Sequence, residues 1–99
     1  MWSVVLTARA SADIVDIAEW TTRQFGSTQA ERYSQTIDTA LASLSAGPSV
    51  FGSRDCSVGE RNLRSLHLPR PGRHLIVYRV ADAQRLEIEV VRILHDAMD

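Results

Sequence analysis

Gly26 separates two segments whose apolar residues both recur at three- and four-residue steps, and so short a break forces the helices they predict to pack as an antiparallel hairpin. The first segment runs from about Ala8 to Gln24, with Ala10, Ile14, Ile17, Ala18 and Thr21 on one face and Asp13, Asp16, Glu19 and Arg23 on others. Thr7 is placed to cap its start. The second carries Ala30, Tyr33, Ile37, Ala40, Leu41 and Leu44, with Ser27 as its expected N-cap and Gly47-Pro48 as its end.

The remaining periodicity is two. Trp2, Val4 and Leu6 alternate with Ser3 and Val5 in a short opening strand. Three more strand-like runs close the chain, Asn62 to Leu68, Arg73 to Val80 and Arg85 to Leu94, separated by Pro69-Arg70-Pro71-Gly72 and Ala81-Asp82-Ala83-Gln84. Both connections are of hairpin length. This order predicts an α+β fold, β-α-α-β-β-β, with the helical hairpin packed on one face of a largely antiparallel sheet.

Alternation places His74, Ile76, Tyr78 and Val80 on one face of their strand. In the last strand Leu86, Ile88, Val90 and Leu94 are expected to meet the helices, while Glu87, Glu89, Val91, Ile93 and His95 line a partly open surface. Residues 47–61 hold no sustained period and read as an irregular connection of about fifteen residues, long enough to suggest a role. Phe51 is its candidate anchor.

Ninety-nine residues make one compact domain, 1–99, with no room for a second. An apolar share of 44% beside 23% charged residues is that of an ordinary globular chain. The lone Cys56 has no disulfide partner within the chain, which points to a reducing cytoplasm and a free thiol. The run Val4-Val5-Leu6 is too short for a signal peptide or a membrane span, so neither export by that route nor anchoring is expected.

All eleven basic residues are arginine and the net charge is -1, so bulk attraction to nucleic acid is not expected. The charge is uneven, however. Residues 61–99 hold seven arginines against five acidic residues, and Arg61, Arg64, Arg70, Arg73 and Arg79 fall in a stretch without an acid. Such a strip suits either an acidic partner or a sheet edge kept unpaired by its charge.

Several segments together carry a resemblance. Thr7-Ala8-Arg9-Ala10 with Asp13-Ile14, and Phe25-Gly26 with Gln29-Ala30 and Tyr33, are followed by the long run from Gly72 to Val80, then by Val90-Val91-Arg92-Ile93-Leu94-His95 and Met98-Asp99. Their order and spacing resemble the ParE-like toxins of the RelE/ParE toxin–antitoxin superfamily over nearly the whole chain. The resemblance implies the same β-α-α-β-β-β fold and the toxin role of a type II system. ParE-like members poison DNA gyrase without enzymatic chemistry, whereas RelE-like members cut messenger RNA on the ribosome. Both are held inactive by an antitoxin encoded beside them. A ParD-like antitoxin drapes an extended and helical tail over the toxin and uses a separate part to bind operator DNA, which the toxin therefore reaches only indirectly. An interaction domain that has lost toxicity is a third reading.

Cleaving RNA through its own 2′-hydroxyl requires a base, a cation for the crowded phosphorane and an acid for the leaving oxygen. His95 or Glu60 are candidate bases, Arg64, Arg73 or Arg79 candidate cations, and Tyr78 or His74 candidate acids. A nuclease would need Arg73, Arg79 and His95 to converge with Tyr78 around one phosphate-sized hollow. The resemblance argues against this chemistry: RelE-like nucleases usually carry an arginine three positions before the tyrosine that Tyr78 resembles, where this chain has Leu75, and they use lysines, which it lacks. No catalytic residue is expected in a gyrase-binding toxin.

His67 and His74 have no cysteine or acidic partner at metal-ligand spacing, so no metal and no cofactor are expected. Candidate target-binding residues are Arg73, Arg92, His95 and Met98, drawn from the basic strip and the carboxy-terminal segment. Candidate antitoxin-binding residues are Trp2, Trp20, Phe51, Arg61 and Arg64, because aromatic rings and arginines dominate interface energies.

Overall fold

The computed structural model describes residues 1–98, Met98 by its backbone alone. Strand β1 (Ser3–Leu6) leads into helices α1 (Ala8–Phe25) and α2 (Ser27–Ser43). Strands β2 (Ser53–Asp55), β3 (Arg64–His67), β4 (His74–Asp82) and β5 (Glu87–His95) follow. Short 3-10 turns come after α2 at Leu44–Ala46 and after β5 at Asp96–Met98. The sheet order is β1-β5-β4-β3-β2, with β1 parallel to β5 and the other pairs antiparallel.

Thr7 caps α1 as expected. Its Oγ1 accepts the Ala10 N–H at 3.0 Å and donates to the Val91 carbonyl at 3.0 Å, so one side chain both starts the helix and ties it to β5. Gly26 takes a φ of +91°, which glycine adopts without the Cβ penalty. Its N–H closes the last turn of α1 on Thr22, and its carbonyl accepts from Ala30 at the start of α2. Gly26 thus does the capping expected of Ser27, which is already helical, and α2 has no side-chain cap.

The hairpin lays Ala10, Ile37, Ala40 and Leu44 against Leu66, Ile76, Tyr78, Ile88, Val90 and Ile93 of the sheet. Burying a large aliphatic side chain in such a layer contributes about 1.5–3 kcal/mol. That contribution, more than helix propensity, holds α2 in place.

Five further expectations are corrected. Val77 pairs with Arg92 and Tyr78 with Val90, so Val91 is the extra residue of a β-bulge. The bulge advances the alternation by one, which buries Ile93 and leaves Leu94 half-buried, the reverse of a regular strand. Leu86 does not meet the helices either. It lies in the β4–β5 turn with a φ of +54° and is 39% exposed.

Asp13, expected to face outward, is 8% exposed. Finally, residues 47–61 include β2, which pairs with β3, so four strands follow the helices. Phe51 anchors nothing there, being fully exposed. The segment is fixed instead by the Pro48 carbonyl, which accepts from the Tyr78 hydroxyl at 2.5 Å and from Arg64 Nε at 2.9 Å.

Candidate functional site: a basic, aromatic groove

A groove of about 1070 Å³ opens between the helical hairpin and the β3–β4 connection. Trp20, Phe25 and Tyr33 come to it from the helices, Phe51 and Leu66 from the β2–β3 side, and Arg70 to Arg73 from the connection. The rings of Trp20 and Phe25 meet edge to face at 5.9 Å, yet they are 49% and 65% exposed.

Gly72 sets the depth of the groove at the connection. A Cβ there would stand 2.8 Å from the Pro69 carbonyl oxygen and 3.0 Å from Leu68 Cβ, so only glycine lets the turn fold down beside Tyr33. The charged side chains at the wall are Arg32, Arg70 and Arg73, joined by His67, His74 and His95. No Asp or Glu lines this groove among the described residues.

At one end these groups interlock. Arg73 donates from Nε and Nη2 to the Asp96 carboxylate at 3.0–3.2 Å, and His67 Nε2 meets the same carboxylate at 2.9 Å. His67 Nδ1 lies 2.7 Å from the Leu68 carbonyl, so both ring nitrogens face oxygen acceptors. Hydrogen bonds from Arg73 and then His67, with the charges of Arg73 and His95, hold the Asp96 carboxyl far below the usual carboxylate range.

Beside this clamp the Tyr33 hydroxyl stands 2.6 Å from His74 Nδ1 and accepts the Arg73 backbone N–H at 3.2 Å. Burial raises the Tyr33 phenol. The His74 ring lies 5.2 Å from that of His95, edge to face. Burial lowers the His74 imidazole most, and repulsion from His95 and His67 adds to it against the opposing pull of Asp96.

A second, smaller hollow of about 210 Å³ lies on the α1 side of the same two imidazoles, with Asp13, Asp16 and Arg92 in its wall. Asp13 accepts from Arg92 Nε at 2.8 Å, from Arg92 Nη2 at 3.2 Å and from the Ile93 N–H at 2.9 Å. Burial raises its carboxyl, but the Arg92 and Ile93 hydrogen bonds and the nearby charges of Arg92 and Arg9 outweigh this and keep it below the ordinary value.

Of the nuclease candidates named from the sequence, the structure gathers Arg73, His74 and His95 at the groove and leaves out Tyr78, Arg64 and Arg79. Tyr78 is fully buried with its hydroxyl on Pro48, and Arg64 is turned onto Pro48 and Ser53. Arg79 is paired with Glu89 at 2.9 Å, away from the groove wall. Arg73 and His95 do come together, with His74, His67 and Tyr33 rather than with Tyr78. Glu60 is exposed in the β2–β3 connection.

Of the interface candidates, Trp20 and Phe51 line the groove. Trp2 packs partly buried against the core near Gly47, and Arg61 is exposed at a bridge to Val58. The basic strip is therefore several surfaces. Arg92 is committed to Asp13, and the Met98 side chain lies outside the described residues. Phe25, Tyr33 and the buried Asp13 were not singled out from the sequence as site residues, and Asp96 was included only as part of the carboxy-terminal segment His95 to Asp99. Phe25 carried a signal, since an aromatic directly before a helix-ending glycine sits where it is hard to bury.

Among the described residues no group of three or more His, Cys, Asp and Glu side chains is arranged to hold a metal ion, and no helix is long and apolar enough to cross a membrane. Cys56 is a half-buried free thiol.

Residues 4–99 match the family described as the ParE toxin of the type II toxin-antitoxin system parDE. Toxin ParE of Escherichia coli is 33% identical over 107 residues, spanning 100% of this chain and 89% of that protein. Among solved structures, a chain of the chromosomal ParDE system from P. aeruginosa superposes with a TM-score of 0.71 at 24% identity, covering 96% of both chains. A chain of the E. coli RelBE toxin-antitoxin complex superposes at 0.58 and 16% identity over 94% of each. The two structural likenesses establish the fold, while the match in sequence from β1 to the carboxy terminus goes further: this chain belongs to the ParE toxin family.

Proposed function

We propose that this ParE-type toxin acts by binding DNA gyrase, performs no bond chemistry of its own, and is neutralised by a ParD-like antitoxin seated in the aromatic groove. The observation that carries the reading is the fate of Tyr78. A general acid has to reach its substrate. This hydroxyl is buried and holds the Pro48 carbonyl, while Arg64 and Arg79 are engaged in bonds within the chain. What remains open is a shaped surface with rings and positive charge, which suits recognition of another macromolecule.

The second reading, a ribosome-dependent endoribonuclease, is favoured by Arg73, His74 and His95 lying together at the groove. Against it, the Arg73 guanidinium is already bound by Asp96 through two nitrogens. The test places purified toxin in a translating extract and, separately, over immobilised gyrase. Retention on gyrase with intact messenger RNA supports the proposal. Codon-positioned cleavage without retention assigns the chain to the nucleases.

A further inference from the structure

The polar end of the groove has a charge balance that a neutral protein surface does not need. Arg32, Arg70, Arg73, His67, His74 and His95 reach the wall, and Asp96 is the carboxylate within ion-pair distance of three of them, Arg73, His67 and, at 3.6 Å, His95. Among the three histidines, His74 is the one without an ion-pair contact to that carboxylate among the described residues. Its Nδ1 is engaged by Tyr33, whose oxygen already accepts from the Arg73 N–H, so the phenol proton is directed to His74 Nδ1. That fixes the neutral tautomer with the proton on Nε2, a nitrogen with no hydrogen-bond partner among the described residues. His95 presents a second ring 5.2 Å away, with its Nδ1 accepting the Ala97 N–H at 3.1 Å.

We propose that the His74–His95 end of the groove is a carboxylate subsite for an acidic segment of the antitoxin, and that seating this carboxylate draws a proton onto the imidazole pair. The proposal rests on the antitoxin reading given above. Charge complementarity selects the occupant: three arginines and three histidines without a lining acid favour an acidic segment, and Trp20, Phe25 and Phe51 supply rings for its apolar residues.

Every charged or titratable group facing the pair enters the balance. Tyr33 comes from α2, His67 from β3, Arg73 from the connection, and Asp96 from the final turn. Asp13, Asp16 and Arg92 face it from the α1 side. Asp13 is neutralised by Arg92 and Asp96 by Arg73, which leaves Asp16, exposed on α1, as the carboxylate in that wall without an ion pair among the described residues. A carboxylate arriving from the groove would therefore be the first to pair closely with His74.

In free toxin His74 favours its neutral form, and an incoming carboxylate stabilises the charged one. Binding then takes up a proton, and affinity rises as pH falls through the histidine range.

The experiment measures binding of the antitoxin encoded by the adjacent gene to the full toxin between pH 6 and 8, by calorimetry in buffers of different ionisation enthalpy. Wild type should bind roughly three- to tenfold more tightly at pH 6 than at pH 8, which corresponds to a net proton uptake of about a quarter to a half averaged over that range. His74→Gln, checked for folding by its thermal transition, should abolish most of the uptake and flatten the profile. His95→Gln should keep the uptake and move its midpoint to higher pH, because a repulsive neighbour of His74 is removed. A pH-independent wild-type affinity, or the same slope in His74→Gln, overturns the subsite while leaving antitoxin binding intact. Absence of a complex at every pH overturns the antitoxin reading and the subsite together.

Discussion

The hydroxyl of Tyr78, at the centre of β4, donates to the carbonyl of Pro48 thirty residues earlier, just beyond the helical hairpin. Arg64 Nε donates to the same oxygen, so one carbonyl fastens the start of the β2 segment to two strands. This placement makes Tyr78 a structural residue. Tyr78→Phe should cost about 1 kcal/mol in urea unfolding, the net value of one hydrogen bond whose acceptor keeps a second donor. Toxicity of the variant should stay at the wild-type level.

Asp13 joins the first helix to the last strand across eighty residues of sequence. It satisfies the Ile93 N–H next to the bulge and holds Arg92. Asp13→Ala leaves that buried N–H and the guanidinium without their acceptor, and should lower unfolding free energy by about 2–4 kcal/mol. Denaturant melts of the variant beside wild type check this, with Asp16→Ala as the exposed control, expected within about 0.5 kcal/mol of wild type.

Stability should fall in two steps as the solution is acidified. The His74 imidazole is lowered in the folded chain, so the unfolded state binds its proton first; the stabilisation is present above about pH 6.5 and is lost as pH falls toward the folded value. Asp13 and Asp96 are also lowered, so their contribution is present above about pH 4 and is lost as pH falls below it. Thermal midpoints from pH 8 to pH 3 should show both steps, and His74→Gln should remove the first.

Trp20 and Phe25 stand open at the groove. Replacing both with alanine should change stability by about 1 kcal/mol or less, the value of an exposed edge-to-face pair. Affinity for the antitoxin should drop at least about tenfold, as expected for aromatic anchors. Surface plasmon resonance with the antitoxin immobilised measures this directly.

Periodicity made most of the fold legible. The stripe ending at Leu44, the cap at Thr7 and the break at Gly26 each follow from side-chain spacing or backbone freedom that is local in sequence. The misplacements were not local. A bulge at Val91 depends on how β4 and β5 register, and one skipped residue there exchanges Ile93 for Leu94 in the core.

Asp13 looked like an ordinary surface acid because its partners lie at Arg92 and Ile93. Strand β2 is three residues long, too short for any alternation to register. At the site, Trp20 and Phe51 were legible as candidate antitoxin-binding rings, although Phe51 was also expected to anchor its own segment. The clamp of Arg73, His67 and Asp96 was not, since it joins three elements that only the folded sheet brings together.

Gyrase supercoiling is the most direct measurement of the central claim. Purified toxin titrated against gyrase and relaxed plasmid should abolish supercoiling at a saturating ratio of toxin to enzyme, and Tyr78→Phe and Arg79→Gln should do so with the same dose dependence as wild type. Full supercoiling at every dose, together with messenger RNA cleavage that both substitutions abolish, would contradict it.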